Sequence, residues 1–205
     1  SRGLGDVYKR QVQTVQTLTG FKYIGKKICD WELSGEHTFI FGYEESYGYL
    51  AGTHARDKDA VSSSMLIAEM AAYYKSQGMT LIDALNGVYA KYGYYYDCLE
   101  TLVLKGKAGA EKICAAMSAL RAEGSGLFDD IEHVSDYLTG IDDLPRENVL
   151  RFEFNDGSWA AVRPSGTEPK LKLYFSVRGE DRRSAEQRQK TIRNALFVVI
   201  DKIKV

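Results

Sequence analysis

The segment LRFEFNDGSWAAVRPSGTEPKLKLYFSV, residues 150–177, determines the fold of the second half of the chain. Apolar and polar residues alternate along Leu150–Phe154 and again along residues 171–177, which is typical of strands with one buried face. Asn155-Asp156-Gly157 is a strong hairpin signal, so Trp159–Val162 is predicted to return antiparallel to the first strand. The segment therefore predicts an antiparallel sheet.

Helical periodicity lies on both sides of this segment. Ala108–Arg121 carries an apolar face at helical spacing, and the last twenty residues carry another. Ser184 and Gln187 have the spacing of a capping box that begins the last helix. Tyr94–Leu104 has the composition of a further strand. The simplest packing is an α+β domain with an antiparallel sheet and helices on one face.

The first half has a different organisation. Val12–Leu18 has strand composition, Tyr23–Trp31 has a short helical pattern, and Thr38–Phe41 is the short apolar run of a buried strand. Helical periodicity then covers two stretches that end near Gly78 and Gly93. This order predicts a layered α/β domain.

The predicted domain organisation follows from this change of pattern. The α/β domain spans residues 12–98 and the α+β domain spans residues 99–205. Residues 1–11 are polar and lack a clear period, so they are interpreted as a loose leader, such as a cloning remnant, outside both domains.

Composition excludes several classes of protein. Of the 205 residues, 27 are Lys or Arg and 28 are Asp or Glu, and no dense basic run occurs, so neither nucleic acid nor a membrane surface is expected as a partner. The uncharged apolar runs are far shorter than the roughly 20 residues of a transmembrane helix. Three cysteines without CxxC spacing favour a reduced, cytoplasmic location.

The loop that follows Val162 has the chemistry of an anion site. Arg163 supplies a guanidinium for a two-point contact, Ser165 and Thr167 supply hydroxyl donors, and Gly166 exposes its backbone N–H. Two prolines stiffen the loop and lower the cost of ordering it around an anion. The same composition also fits a plain strand-connecting turn.

The loop near residue 45 has the chemistry of a sugar site. In an extended segment Glu44 and Ser46 share one face, with Tyr43, Glu45 and Tyr47 on the other. A carboxylate and a hydroxyl side by side can bind neighbouring sugar hydroxyls. The other interpretation is an exposed acidic loop that is polar for solvation only.

A third candidate, Arg56-Asp57-Lys58-Asp59, immediately precedes a predicted helix. Capping by Asp57 or Asp59 explains the acids, but a cation at a helix N-terminus is mildly unfavourable, so Lys58 requires another explanation. The three histidines show no metal-ligand spacing.

Four segments together resemble one family. They are TLTGFKYIG (Thr17–Gly25), FGYEESYGY (Phe41–Tyr49), RDKDA (Arg56–Ala60) and RPSGTEPKLKLYF (Arg163–Phe175). They look like motifs of the third and fourth domains of the α-D-phosphohexomutases, closest to the bacterial phosphoglucomutases and phosphomannomutases. Four motifs in the same order are far more specific than any one of them.

The resemblance implies an isomerase that interconverts hexose 1-phosphate and hexose 6-phosphate, with glucose the favoured sugar. In this family four domains surround one cleft. A phosphoserine in the first domain exchanges phosphoryl groups with the substrate through an intermediate such as glucose 1,6-bisphosphate, and a DGDxDR loop in the second domain binds Mg²⁺. The third domain binds sugar hydroxyls and the fourth binds the phosphate that is not reacting.

The same resemblance assigns roles to residues of this chain. Glu44 and Ser46 match the sugar-binding loop, Thr19 and Gly20 match a turn beside the sugar, and Lys58 matches a substrate-facing lysine that assists proton transfer. The residues that match the phosphate site are Arg163, Ser165, Gly166 and Thr167.

The sequence departs from the family pattern in one respect. It contains neither a TASHNP-like serine loop nor a DGDxDR motif, and Asp129-Asp130 and Asp142-Asp143 do not replace the latter. We therefore expect the C-terminal part of a longer mutase, inactive alone, whose partners are a hexose phosphate and the missing N-terminal domains. Two alternatives stay open: a free-standing, non-catalytic sugar-phosphate-binding module, and an interaction domain that retains only the fold.

Overall fold

The computed structural model describes residues 12–141 and 144–203. The predicted leader at residues 1–11 and the Asp142-Asp143 pair lie outside the described residues. The chain divides into two compact units, one up to Leu81 and one from Ile82 onward.

The first unit is built from two helices and a two-stranded ribbon. Its elements are α1 (Phe21–Ser34), β1 (Phe41–Tyr43), β2 (Tyr49–Ala51) and α2 (Ala60–Ser76). The two strands are antiparallel, with Gly42 opposite Leu50. A small core forms where α1 packs on the ribbon, with Phe21, Ile28 and Leu50 buried.

Two strand predictions in this unit are wrong. Val12–Leu18 forms no strand, and Val12 and Val15 are exposed, because strand-forming residues need a neighbouring strand to take up their backbone hydrogen bonds. The strand predicted at Thr38–Phe41 begins only at Phe41, and this residue is 49% exposed. A ribbon of two strands buries little side-chain surface, so β1 is not the buried strand that its composition suggests.

The helical predictions for this unit are confirmed, but the environment of α2 is not the expected one. Val61, Met65, Ala68 and Ala72, which recur at helical spacing, are exposed rather than packed, and no residue of α2 is buried among the described residues. Its sequence suits a helix covered on several sides.

The second unit is an antiparallel sheet covered by helices. Its elements are α3 (Leu81–Tyr92), β3 (Tyr94–Val103), α4 (Gly106–Glu123), a short 3₁₀ helix (Gly124–Leu127), β4 (Ile131–Asp136), β5 (Leu150–Phe154), β6 (Trp159–Pro164), β7 (Lys170–Gly179) and α5 (Arg182–Asp201). The strands lie in the order β3-β7-β6-β5-β4, and every neighbouring pair is antiparallel.

The core of this unit lies between one sheet face and two helices. Residues of α4 and α5 pack with the apolar residues of β5, β6 and β7, all of them buried. The larger buried side chains are Met117, Leu120, Phe152, Phe154, Leu171, Leu173, Phe175, Ile192 and Leu196. The predicted antiparallel sheet with helices on one face is therefore confirmed.

Two details of the second unit differ from prediction. Strand β4 was not predicted, because a register shift between Ile131 and His133 interrupts its alternation. The capping box of α5 is formed by Asp181 and Ser184 rather than by Ser184 and Gln187. The aspartate one turn earlier accepts from the backbone N–H of Ser184 at 2.7 Å. In the two described segments, no helix has the length and apolar character needed to cross a membrane.

Candidate functional site

The loop between β1 and β2 brings Glu44 and Ser46 together through a turn. The backbone N–H of Glu44 donates to the carbonyl of Gly48 at 2.9 Å, which closes the turn. Ser46 Oγ donates to Glu44 Oε2 at 3.3 Å. The extended backbone assumed from the sequence is wrong, but the turn places the hydroxyl and the carboxylate in contact.

Lys58 lies against this same turn. A Cβ placed on Gly48 would lie 2.7 Å from Lys58 Cδ and 3.3 Å from Glu44 Oε2. A side chain at this position would displace the lysine chain, so the glycine permits the close approach of both groups to the turn. Gly48 is a site residue that the sequence reasoning missed, and its signal was a glycine directly after the acidic loop.

The ammonium group of Lys58 remains charged. Its Nζ donates to Asp57 Oδ1 at 3.1 Å, and this hydrogen bond, together with the charges of Asp57 and Glu44, raises the pKa of Lys58 above its ordinary value. The backbone and side chain of Lys58 in turn lower the pKa of Asp57. At neutral pH Lys58 is thus a cation and a hydrogen-bond donor rather than a base.

The other residues of the Arg56–Asp59 segment have structural roles. Asp59 caps α2 by accepting from the N–H of Val61 at 2.9 Å. A 2.9 Å hydrogen bond with His54 is the largest cause that lowers the pKa of Asp59 to about 2. Arg56 forms an ion pair with Glu32 of α1. The capping interpretation is confirmed for Asp59.

The Thr19-Gly20 turn lies immediately before α1. Gly20 is the N-cap residue of this helix, and Thr19 is exposed. The next residue, Phe21, is buried, and its ring centroid lies 5.7 Å from the Nζ of Lys58. The turn and Lys58 are therefore neighbours through the Phe21 ring.

In the second unit, the loop after β6 is closed and anchored. The N–H of Ser165 donates to the Lys170 carbonyl at 2.8 Å, and the N–H of Leu104 at the end of β3 donates to the Pro169 carbonyl at 2.9 Å. Gly166 and Thr167 are exposed between these anchors. No atom would come within 4 Å of a Cβ on Gly166, so packing does not require a glycine there.

Two charged side chains beside this loop were not predicted. Arg163 Nε lies 3.5 Å from Glu147 Oε2, an ion pair in which both side chains are 23% exposed. Lys172 lies opposite Arg163 in the β6–β7 register, and residues opposite each other in a sheet project from the same face. Glu147 has no signal in a single sequence, whereas Lys172 could have been found from the strand alternation.

The described residues offer no site for a divalent metal. Among residues 12–141 and 144–203, no three His, Cys, Asp or Glu side chains form a group that could bind a metal ion. Asp130 is instead engaged by Arg188. The described part of this chain therefore does not fit the Mg²⁺ that the family resemblance implies.

Comparison with known protein families shows to which family this chain belongs. Residues 1–92 match the family model described as phosphoglucomutase/phosphomannomutase, alpha/beta/alpha domain III, and residues 101–194 match the model for the C-terminal domain of the same proteins. The chain belongs to the phosphoglucomutase/phosphomannomutase family. The first match includes residues 1–11, which the sequence analysis placed outside both domains. The domain boundary between residues 98 and 99 lies between the two matched segments and stays a prediction.

Curated members of the family cover most of the chain. A phosphoglucomutase of Staphylococcus haemolyticus is 37% identical over 202 residues, which is 92% of this chain and 36% of that protein. One from Staphylococcus epidermidis is 40% identical over 175 residues, 79% of this chain and 32% of that protein. The chain thus spans about a third of the length of these relatives.

A solved structure shows the same fold. The crystal structure of Paramecium pp63/parafusin, an exocytosis-sensitive phosphoprotein titled as a phosphoglucomutase and in its open form, superposes with a TM-score of 0.68. It shares 21% sequence identity and covers 97% of this chain, which corresponds to 36% of that protein. This likeness supports the fold alone.

Proposed function

We propose that this chain is the substrate-recognition portion of a phosphohexomutase that interconverts hexose 1-phosphate and hexose 6-phosphate through a bisphosphate, with glucose the favoured sugar. The observation that carries the proposal is the convergence of Glu44, Ser46 and Lys58 around Gly48. In a chain of this family, these groups form a hydroxyl-binding cluster.

The first unit supplies the sugar-binding groups. The Glu44 carboxylate accepts hydrogen bonds from sugar hydroxyls, and the Ser46 hydroxyl both donates and accepts. Lys58, held in its charged form, donates a hydrogen bond to a sugar or phosphoryl oxygen and assists proton transfer as the donor. Thr19 and Gly20 border the sugar on the side of the Phe21 ring.

The second unit supplies the phosphate-binding groups. The contact of Arg163 Nε with Glu147 orients the guanidinium and leaves its terminal N–H groups for a bidentate contact with phosphate. The hydroxyls of Ser165 and Thr167 and the backbone N–H of Gly166 complete the anion site. Lys172 adds a second positive charge on the same sheet face.

The binding groups described above do not supply the nucleophile for phosphoryl transfer. Phosphoryl transfer needs a nucleophile, and the sequence contains no serine loop or DGDxDR motif of this family. Mg²⁺ stabilises charge on the transferring phosphoryl group in such reactions. We assign no step to the metal, because the described residues offer it no site.

A second candidate is a free-standing sugar-phosphate-binding module. Its basis is that both binding loops, at Glu44–Ser46 and at Arg163–Thr167, are present in the 205 residues. The reading frame of the source gene distinguishes the two candidates. Continuation upstream into a serine loop and an acidic metal loop supports the mutase.

The phosphate assignment is tested by NMR titration of the 205-residue chain with glucose 1-phosphate. We expect shifts at the amides of Gly166 and Thr167 and a dissociation constant in the millimolar range, about −4 kcal/mol, since charged contacts in open solvent contribute little. Arg163→Ala is expected to abolish these shifts. Arg183→Ala, which removes an equal charge from an exposed position of α5, is expected to preserve them. Shifts confined to α5, or equal losses in both variants, would contradict the assignment.

A further inference from the structure

The turn that carries Glu44 and Ser46 holds one strained residue. Tyr47 has φ 63°, and it is the one non-glycine residue with positive φ among those the structure describes. A side chain in this left-handed conformation places its Cβ too close to the following carbonyl oxygen, so the position favours glycine, asparagine or aspartate. A bulky aromatic residue is an unfavourable choice for the fold at this position.

Packing does not explain this choice. Tyr47 is 85% exposed. Within residues 12–141 and 144–203, its side chain makes no hydrogen bond and no ring contact. The neighbouring aromatics behave differently: the rings of Tyr43 and Tyr49 each lie 6.2 Å from that of Phe41. No contact of Tyr47 with the described residues therefore offsets the strain in its backbone.

The position of Tyr47 relates it to the sugar site. One neighbour in the chain, Ser46, contacts the Glu44 carboxylate through Oγ at 3.3 Å, and a Cβ placed on the other neighbour, Gly48, would lie 3.3 Å from Oε2. Strained residues that persist where an unstrained one would fit occur preferentially at ligand-binding positions. Tyr47 therefore stands in the chain between two residues that border the Glu44 carboxylate, with its ring exposed to a ligand.

From this arrangement we infer that Tyr47 is a specificity residue whose ring packs against the apolar face of a hexopyranose ring while Glu44 and Ser46 bind its hydroxyls. The inference rests on the proposed function and extends it. The C–H groups on one face of a pyranose are complementary to the negative face of an aromatic ring. An acyclic sugar phosphate keeps the phosphate and the hydroxyls of the ring form, carries one further hydroxyl in place of the ring oxygen, and offers no such face.

The test compares glucose 6-phosphate with its acyclic counterpart glucitol 6-phosphate, titrated into the 205-residue chain by NMR. The unmodified chain and Tyr47→Phe are expected to prefer the ring form by about three- to tenfold. Tyr47→Gly and Tyr47→Asn, which tolerate the backbone conformation but lack the ring, are expected to lose that preference. Both are expected to unfold at the same or a higher temperature than the unmodified chain, because the strain is relieved.

Two results would overturn the inference. One is an undiminished preference for the ring form in Tyr47→Gly and Tyr47→Asn. The other is a lower unfolding temperature in these variants, which would remove the argument from strain.

Glu44→Gln separates this inference from the proposed function. If Glu44→Gln weakens glucose 6-phosphate binding while the Tyr47 variants do not change the preference, only the role of Tyr47 is wrong. If Glu44→Gln has no effect, or if the unmodified chain binds neither ligand, the proposed function is wrong and the role of Tyr47 with it.

Discussion

Gly25, in the middle of α1, allows the loop that carries Lys58 to rest on this helix. It is buried, and a Cβ at this position would lie 2.5 Å from the carbonyl oxygen of Arg56, about 1 Å inside an ordinary carbon–oxygen contact. The obstructing atom belongs to the backbone, so it cannot move aside as a flexible side chain would. Gly25→Ala must displace either the helix or the loop that leads into Lys58.

Two opposing effects set the magnitude of this substitution. Alanine in place of glycine within a helix usually stabilises by about 1 kcal/mol, whereas overpacking a close contact costs about 1–3 kcal/mol. We expect the contact to dominate, so that Gly25→Ala lowers the free energy of unfolding of the first unit by up to about 2 kcal/mol.

Gly87 in α3 provides the matched control. No atom lies within 4 Å of its Cβ position, and its φ is not in the left-handed region, so Gly87→Ala should retain the helix gain and stabilise by about 0.5–1 kcal/mol. The two tryptophans allow separate measurements, since Trp31 lies in the first unit and Trp159 in the second. For Gly25→Ala, urea unfolding is followed through Trp31 fluorescence in a Trp159→Phe background. For Gly87→Ala, it is followed through Trp159 fluorescence in a Trp31→Phe background. Stabilisation by Gly25→Ala would refute the close approach of α1 to the Arg56 carbonyl.

Three further predictions follow from the charges, the buried thiol and the motifs. Burial raises the pKa of Cys98 to about 11. A thiol reagent at pH 8 should therefore modify the exposed Cys29 and Cys114 and leave Cys98 unmodified until the chain is unfolded. Mass spectrometry of the labelled peptides measures which thiols are modified. The pKa of Asp59 is lowered to about 2 from its ordinary 3.8, so its stabilising effect is complete above about pH 4 and is lost as the pH falls toward 2. The unfolding temperature of the first unit should therefore fall more steeply over this range than in Asp59→Asn, and parallel curves would refute the assignment. The purified chain with Mg²⁺ should not turn over glucose 1-phosphate, and activity that survives removal of host mutase would contradict the proposed division of functions.

Strands β5 and β7 of the second unit could be predicted from sequence because each buries one face completely. Alternation along Leu150–Phe154 and residues 171–177 reflects a real difference between a core face and an open face. The same method failed at β4, where a register shift breaks the period. It also failed at Val12–Leu18, because strand composition does not show whether a neighbouring strand is available.

Some contacts of the candidate site follow from residues that are close in the chain, and others depend on the folded structure. The contact between Glu44 and Ser46 could be predicted, since the two residues are close in the chain. Gly48 beneath Lys58 and Glu147 beside Arg163 could not, because these contacts depend on how the turn and the loops fold back.

The central claim is that the first unit binds the sugar and the second binds the phosphate. Dissociation constants for inorganic phosphate and for glucose 6-phosphate, measured in the unmodified chain, Glu44→Gln and Arg163→Ala, test it most directly. Glu44→Gln keeps the shape of the side chain and removes the charged acceptor, so we expect it to weaken glucose 6-phosphate about two- to fivefold and to leave inorganic phosphate unchanged. Arg163→Ala should weaken both ligands, because the charged two-point contact is lost. If Glu44→Gln weakened inorganic phosphate as much as Arg163→Ala does, the division between the two units would be wrong.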